Sequence, residues 1–135
     1  MAYKVGIIGY GWAATAHADA INGTNQGTVT AVYSSRPLDD AEVSARHGSA
    51  IKTYTDLDEM LASDIDVVSI TSYPAQHRAQ VEAAAKAGKH IILEKPMALS
   101  WEDCVAIRDA VAAAGVRACV CFELRFVSQF LTTSK

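Results

Sequence analysis

The feature that most constrains this chain is its opening. An unbroken apolar run, Val5 to Ile8, ends in Gly9-Tyr10-Gly11-Trp12-Ala13-Ala14 and passes straight into a helix-forming segment. Such a run is the pattern of a strand buried on both faces, which belongs to a parallel sheet. The hexapeptide fits G-x-G-x-x-G/A at the strand-to-helix junction, where that spacing has a mechanical meaning. Gly9 permits a tight turn, Gly11 bares the backbone to a pyrophosphate, and Ala14 lets the helix pack close to the strand. Trp12 and Ala13 open a helix whose free N–H groups and dipole favour anionic phosphates. Taken alone, the same residues also suit a plain glycine-rich turn, so the rest of the chain has to decide.

The rest alternates short β-rich runs with helical ones. Strands are expected at Val29 to Tyr33, Lys52 to Tyr54, Val67 to Ile70, Ile91 to Leu93 and Val116 to Phe122. Helices are expected at Ala13 to Ile21, Leu38 to His47, after Asp56, at Ala75 to Ala87 and after Ser100. Gly48, Gly88 and Gly115 fall where helices should stop. Cys104, Ile107, Val111 and Ala114 are spaced as the last helix's buried stripe. This alternation predicts an α/β fold: a doubly wound parallel sheet of about six strands with helices on both faces, a Rossmann fold. In that setting the glycine-rich turn reads as a dinucleotide site.

The chain has 135 residues, enough for one domain, and a net charge of -3, which gives no reason to expect nucleic acid or an anionic membrane as partner. No apolar stretch approaches the roughly 20 residues of a membrane span. Three cysteines, Cys104, Cys119 and Cys121, form no disulfide framework and point to a reducing, cytoplasmic setting. Cys119 and Cys121 share one face of a strand and are expected as small core residues. His17 is expected to pack, and His47 and His90 to lie at the surface. No histidine has metal-ligand spacing with another histidine or a cysteine pair, so no metal is expected.

Cofactor choice turns on the end of the second strand. NAD selectivity usually comes from a carboxylate about 20 residues past the glycines. Here the segment reads Tyr33-Ser34-Ser35-Arg36. Ser34 and Ser35 can donate to a 2′-phosphate and Arg36 can pair with it, which favours NADP(H) over NAD(H). The alternative is a solvated Arg36, with Asp39 or Asp40 reaching back to the ribose.

Two further segments carry a family resemblance. Ala87-Gly88-Lys89-His90-Ile91-Ile92-Leu93-Glu94-Lys95-Pro96-Met97-Ala98-Leu99-Ser100 closely resembles the GKHV-x-x-EKP-x-A-x-(S/T) signature of the glucose–fructose oxidoreductase / inositol dehydrogenase (Gfo/Idh/MocA) family. Asp64 to His77 is similar to the family's D-x-D-x-V-x-I-x-T-P-x-x-x-H segment, with Ser72-Tyr73 where Thr-Pro is usual and the proline one place later. His17 and Phe122 to Phe126 also match the family's habits.

The resemblance implies a two-domain NAD(P)-dependent oxidoreductase acting on a sugar, cyclitol, dihydrodiol or similar hydroxy or keto compound. Residues 1–122 would be its nucleotide-binding domain, and 123–135 would begin the connection to an α+β substrate domain that the chain does not contain. That second domain would supply the remaining catalytic residues and a homo-oligomer interface, so this chain alone should be inactive. Lys95 would be the catalytic lysine. Glu94 would meet the nicotinamide ribose or hold Lys95, and the Lys95-Pro96 bond would be cis. Thr71, Ser72, Tyr73 and His77 would neighbour the cofactor, although His77 suits equally a histidine bonded to local backbone. The other functional readings are an isolated dinucleotide sensor without catalysis, or a domain for another nucleotide-containing ligand.

Overall fold

The structure, a computed structural model, describes residues 2–133, without the side chains at positions 130 and 133. Six strands form one sheet: β1 (Tyr3–Ile8), β2 (Gly27–Tyr33), β3 (Lys52–Tyr54), β4 (Val67–Ile70), β5 (His90–Glu94) and β6 (Ala118–Cys121). Their order is β3-β2-β1-β4-β5-β6, and every neighbouring pair is parallel. The order reverses between β1 and β4, which opens a crevice at the carboxyl ends of those strands.

Helices α1 (Trp12–Asn22) and α2 (Asp40–His47) cover one face; α3 (Leu57–Leu61), α4 (Pro74–Lys86) and α5 (Trp101–Ala114) cover the other. Alternation along β1 separates two cores. Val5 and Ile7 pack with Ala14 and Ala18 of α1, while Ile8 packs with Met60, Val81 and Ile91. On β2 the pairing slips by one residue, from Val5↔Val29 to Gly6↔Ala31. The extra Thr30 puts Val29 and Val32 into the same core cluster.

Local chemistry sets the helix boundaries. The Asp39 carboxylate accepts from Glu42 N–H at 2.8 Å, so α2 starts after Asp39 rather than at Leu38. Ser100 Oγ accepts from Asp103 N–H at 3.1 Å and starts α5. Pro74 stands in the first turn of α4, where its missing N–H costs nothing. The shifted proline therefore begins the helix instead of occupying the loop. Gly48 and Gly115 end α2 and α5 in the left-handed conformation.

Two further expectations change. In α5 only Ile107 is fully buried and Ala114 is exposed, because this helix packs chiefly against α4 rather than deep on the sheet. The sheet is not covered evenly: the α1 face of β5 and β6 lies open, leaving Ile92 half-buried and Cys119 exposed. Past β6, a 3-10 turn (Glu123–Phe126) and a short helix α6 (Ser128–Thr133) carry exposed Phe122, Leu124, Phe126 and Leu131. The side chain of Phe130 lies outside those described. No described helix is long and apolar enough to cross a membrane.

Candidate functional site

The chain turns sharply after β1. Gly9 adopts φ +85°, and a Cβ there would come within 3.1 Å of the Ser72 backbone. Only glycine fits both conditions. The turn is fastened on both sides. Gly9 N–H donates to Tyr33 O at 3.0 Å, and Thr71 Oγ1 donates to Gly9 O at 3.0 Å. A Cβ on Gly11, by contrast, would meet no atom within 4 Å, so the bare backbone faces open space at the start of α1. Ala14 is fully buried beneath it. This loop fits a diphosphate: a vacant surface at a helix N-terminus of eleven residues with no acidic side chain in its first turn.

Two clefts meet here. One, of about 580 Å³, runs from Gly9, Gly11 and Ala13 to Ser34, Ser35 and Arg36 at the end of β2. The other, of about 600 Å³, runs from Ala13 over His17 and Ile92 to Glu94, Lys95, Cys121 and Glu123. Trp12, Ala13, Thr71 and Ser72 line both, so the two form one trough across the switch point. Trp12 and Tyr73 stand almost fully exposed beside it, at 87% and 81%.

At the β2 end, Ser34 is buried, and its Oγ accepts from Arg36 N–H at 3.2 Å. Its hydroxyl proton remains free to donate. Ser35 and Arg36 are exposed. Both carboxylates that could have replaced Arg36 are engaged elsewhere. Asp39 caps α2, and Asp40 accepts from the Thr53 N–H and hydroxyl. Those bonds, the hydroxyl's first, hold the Asp40 carboxyl below the usual carboxylate range.

At the other end, Glu94 closes β5 and Lys95 follows it. The Lys95-Pro96 bond is cis. Glu94 Oε2 accepts from Lys95 N–H at 2.9 Å, and Oε1 lies 2.9 Å from His17 Nε2. Glu94 thus grips the Lys95 backbone, leaving the ammonium 3.5 Å from Glu123. The Glu123 carboxyl sits below its usual range, chiefly through its own backbone N–H, with Lys95 adding to the effect. Burial pushes the Cys121 thiol up, and Glu94 and Glu123 push it further.

His77 lies beneath the trough and does not line it. Its ring is fully buried, with Nδ1 at 3.0 Å from Pro96 O and Nε2 at 3.0 Å from Ser72 O. It straps the Ser72 loop to the Lys95-Pro96 turn and offers no surface to a ligand. Ser72 Oγ in turn bonds Gln80 Oε1.

Four sequence expectations are corrected. His17 is no packing residue; it bridges Glu94 and the fully buried Ser69, whose Oγ lies 2.8 Å from Nδ1. A signal existed, since His17 stands four residues past Ala13 on the helix face that opens at the glycine turn. His47 is buried rather than at the surface, with Nδ1 2.7 Å from Asp19 and Nε2 2.9 Å from the Tyr10 hydroxyl. His90 is half-buried, and its Nδ1 accepts from Arg117 N–H at 3.0 Å. Cys119 and Cys121 share a face as expected, but it is the open face and not the core. Glu123 was not anticipated as a neighbour of Lys95; it follows the next strand, so both reach the same sheet edge.

Residues 3–122 match the Gfo/Idh/MocA profile, described as an oxidoreductase family with an NAD-binding Rossmann fold. The chain is 34% identical over 119 residues to inositol 2-dehydrogenase of Klebsiella pneumoniae, covering 87% of this chain and 35% of that protein. It is 31% identical over 133 residues to the NADP(+) scyllo-inositol 2-dehydrogenase of Bacillus subtilis, covering 98% of this chain and 40% of that one. Among solved structures it resembles scyllo-inositol dehydrogenase from Lactobacillus casei with bound NAD(H) and scyllo-inositol, at a TM-score of 0.88 and 28% identity. That match covers 98% of this chain and 40% of the other. The chain thus spans well under half the length of these relatives. On the turn, the trough and these matches together, the chain belongs to the Gfo/Idh/MocA family of NAD(P)-dependent oxidoreductases.

Proposed function

We propose that this chain binds NADP(H) in preference to NAD(H) along the trough, and that in a complete enzyme Lys95 handles the proton that accompanies hydride transfer. The observation that carries the reading is the continuity of the two clefts through Trp12, Ala13, Thr71 and Ser72. An extended dinucleotide would lie with its diphosphate over Gly11, its adenosine beside Ser34 to Arg36 and its nicotinamide beside Glu94 and Lys95. The bound nicotinamide supplies the hydride chemistry. Lys95 would hold the substrate oxygen and exchange a proton with it. Glu94 would keep the lysine's backbone in place through the bond to its N–H.

The preference for NADP(H) rests on the exposed Arg36 and on the prior engagement of Asp39 and Asp40. Matches that name a cofactor divide between NADP(+) and NAD(H), so the local chemistry carries this choice. The inositol relatives favour a cyclitol or sugar as substrate of the complete enzyme. Residues 1–122 would serve as the nucleotide-binding domain, with 123–135 leading toward the part that completes the substrate site and the homo-oligomer.

Titration of the chain with NADPH and with NADH, followed by melting temperature, tests the reading, because a ligand that binds only the folded state raises it. NADPH should give the larger rise. Equal rises, or a larger one with NADH, overturn the preference; no rise with either removes the dinucleotide site. Turnover of myo- or scyllo-inositol by this chain alone should be undetectable.

A further inference from the structure

We propose that His17, Glu94 and Cys121 form a binding site for a zinc-class divalent cation in the floor of the trough. Three elements bring them together. His17 projects from α1, while Glu94 and Cys121 are register partners on β5 and β6, so their side chains leave the same face of the sheet. One ligand atom from each lies within 4.8 Å of the other two. With metal–nitrogen and metal–oxygen bonds of about 2.0 Å and a metal–sulfur bond of about 2.3 Å, a tetrahedral ion sets such atoms about 3.3 to 3.5 Å apart. Small side-chain rotations cover that difference.

The donor set selects the ion. An imidazole, a carboxylate and a thiolate together suit zinc far better than magnesium or calcium, which prefer oxygen alone. The outer partners are also in place. The fully buried Ser69 holds His17 Nδ1 at 2.8 Å, and Lys95 N–H holds Glu94 Oε2 at 2.9 Å. Such bonds orient metal ligands and fix the imidazole tautomer. A hydrogen-bonded pair requires only His17 and Glu94; Cys121 makes the group a three-ligand set. Three protein ligands at the wall of an open cleft leave the fourth position to water or to a group entering the trough.

Binding balances simply. The Cys121 thiol proton leaves to solvent and the sulfur becomes a ligand. The His17 ring proton, on Nε2 while Glu94 accepts it, moves to Nδ1, where Ser69 Oγ accepts it. The inference does not rest on the cofactor reading, since metal uptake is measured without any nucleotide.

Cobalt(II) is the direct probe, because a thiolate ligand gives it a charge-transfer absorption band. The full chain should bind one equivalent of cobalt with that band, and zinc should displace it. Cys121→Ser should abolish the band, Cys119→Ser should keep it, and Ser69→Ala should weaken zinc binding about tenfold. As a measurement that needs no variant, zinc should shift the His17 ring nitrogens in NMR spectra and leave those of His47 in place. A wild-type chain with no thiolate band, a band that survives in Cys121→Ser, or zinc shifts confined to other histidines would each overturn the site.

Discussion

Nε2 of His17, on the helix that begins at the glycine turn, lies 2.9 Å from Oε1 of Glu94, the last residue of β5. A carboxylate only accepts, so this nitrogen carries the ring proton. The bond crosses the sheet's switch point and ties the helix that starts the phosphate loop to the strand that carries Lys95. Ser69, on the intervening β4, holds the other ring nitrogen. The two ends of the trough are therefore one braced unit.

Removing that brace should be felt in stability. His17→Ala leaves a mostly buried carboxylate and a buried hydroxyl without their partner. The expected cost is about 1 to 3 kcal/mol in chemical denaturation. His17→Gln, which can still donate to Glu94, should recover part of it. A His17→Ala chain as stable as the parent would mean that the bond contributes nothing.

The two glycines of the turn should behave oppositely. Gly11→Val places its Cβ where no atom lies within 4 Å, so folding should change by less than about 1 kcal/mol. The same side chain fills the space a diphosphate needs, and cofactor affinity should fall about a hundredfold. Gly9→Ala forces a left-handed conformation and a 3.1 Å approach to Ser72, and should cost about 1 to 3 kcal/mol. Paired melting curves and cofactor titrations separate the two effects.

Arg36 is exposed at the β2 end of the cleft. Arg36→Ala should weaken NADPH by about 1.5 to 3 kcal/mol, the range of a charge-assisted hydrogen bond. NADH binding should change by less than about twofold, well within the tenfold that 1.4 kcal/mol represents. Isothermal titration with both nucleotides checks this, and an equal loss for both would show that Arg36 does not read the 2′-phosphate.

His77 is fully buried between the Ser72 and Pro96 carbonyls. Replacing it with Phe leaves those acceptors facing an apolar ring, at about 1 to 3 kcal/mol for each one left unsatisfied. Amide exchange should accelerate in the Ser72 loop and around Lys95 together, because one side chain straps both. Faster exchange in only one segment would contradict that role.

Asp40 sets an acid-side prediction. Its carboxyl is held below the ordinary value of 3.8 by the Thr53 hydroxyl first and the Thr53 N–H second. A depressed folded value stabilises the fold fully above the unfolded value, and that contribution is lost as pH falls through the folded one. Thr53→Val removes the hydroxyl bond, so the Asp40 carboxyl should titrate at higher pH by NMR. The stability difference from wild type should be larger above pH 3.8 than in stronger acid, where only the pH-independent part remains, including the hydroxyl's second bond to Leu38 O. A difference that is the same at both ends of the pH range would point to a cause other than Asp40.

The sequence by itself determined the sheet, the turn and the family. Apolar runs of strand length, helices stopped by glycine, and Gly9-Tyr10-Gly11-Trp12-Ala13-Ala14 are local patterns, and local patterns survive in a one-dimensional reading. The Glu94-Lys95-Pro96 element was legible for the same reason. Tertiary structure decided what depends on partners distant in the chain. His17 and Glu94 stand 77 residues apart, and Tyr10 and His47 stand 37 apart. No spacing rule links such pairs; the β1–β4 reversal and the packing of α1 and α2 bring them within hydrogen-bond range. The cysteines show the same division. Strand periodicity put Cys119 and Cys121 on one face, but whether that face was core or cleft depended on where α1 and α2 end their cover of the sheet.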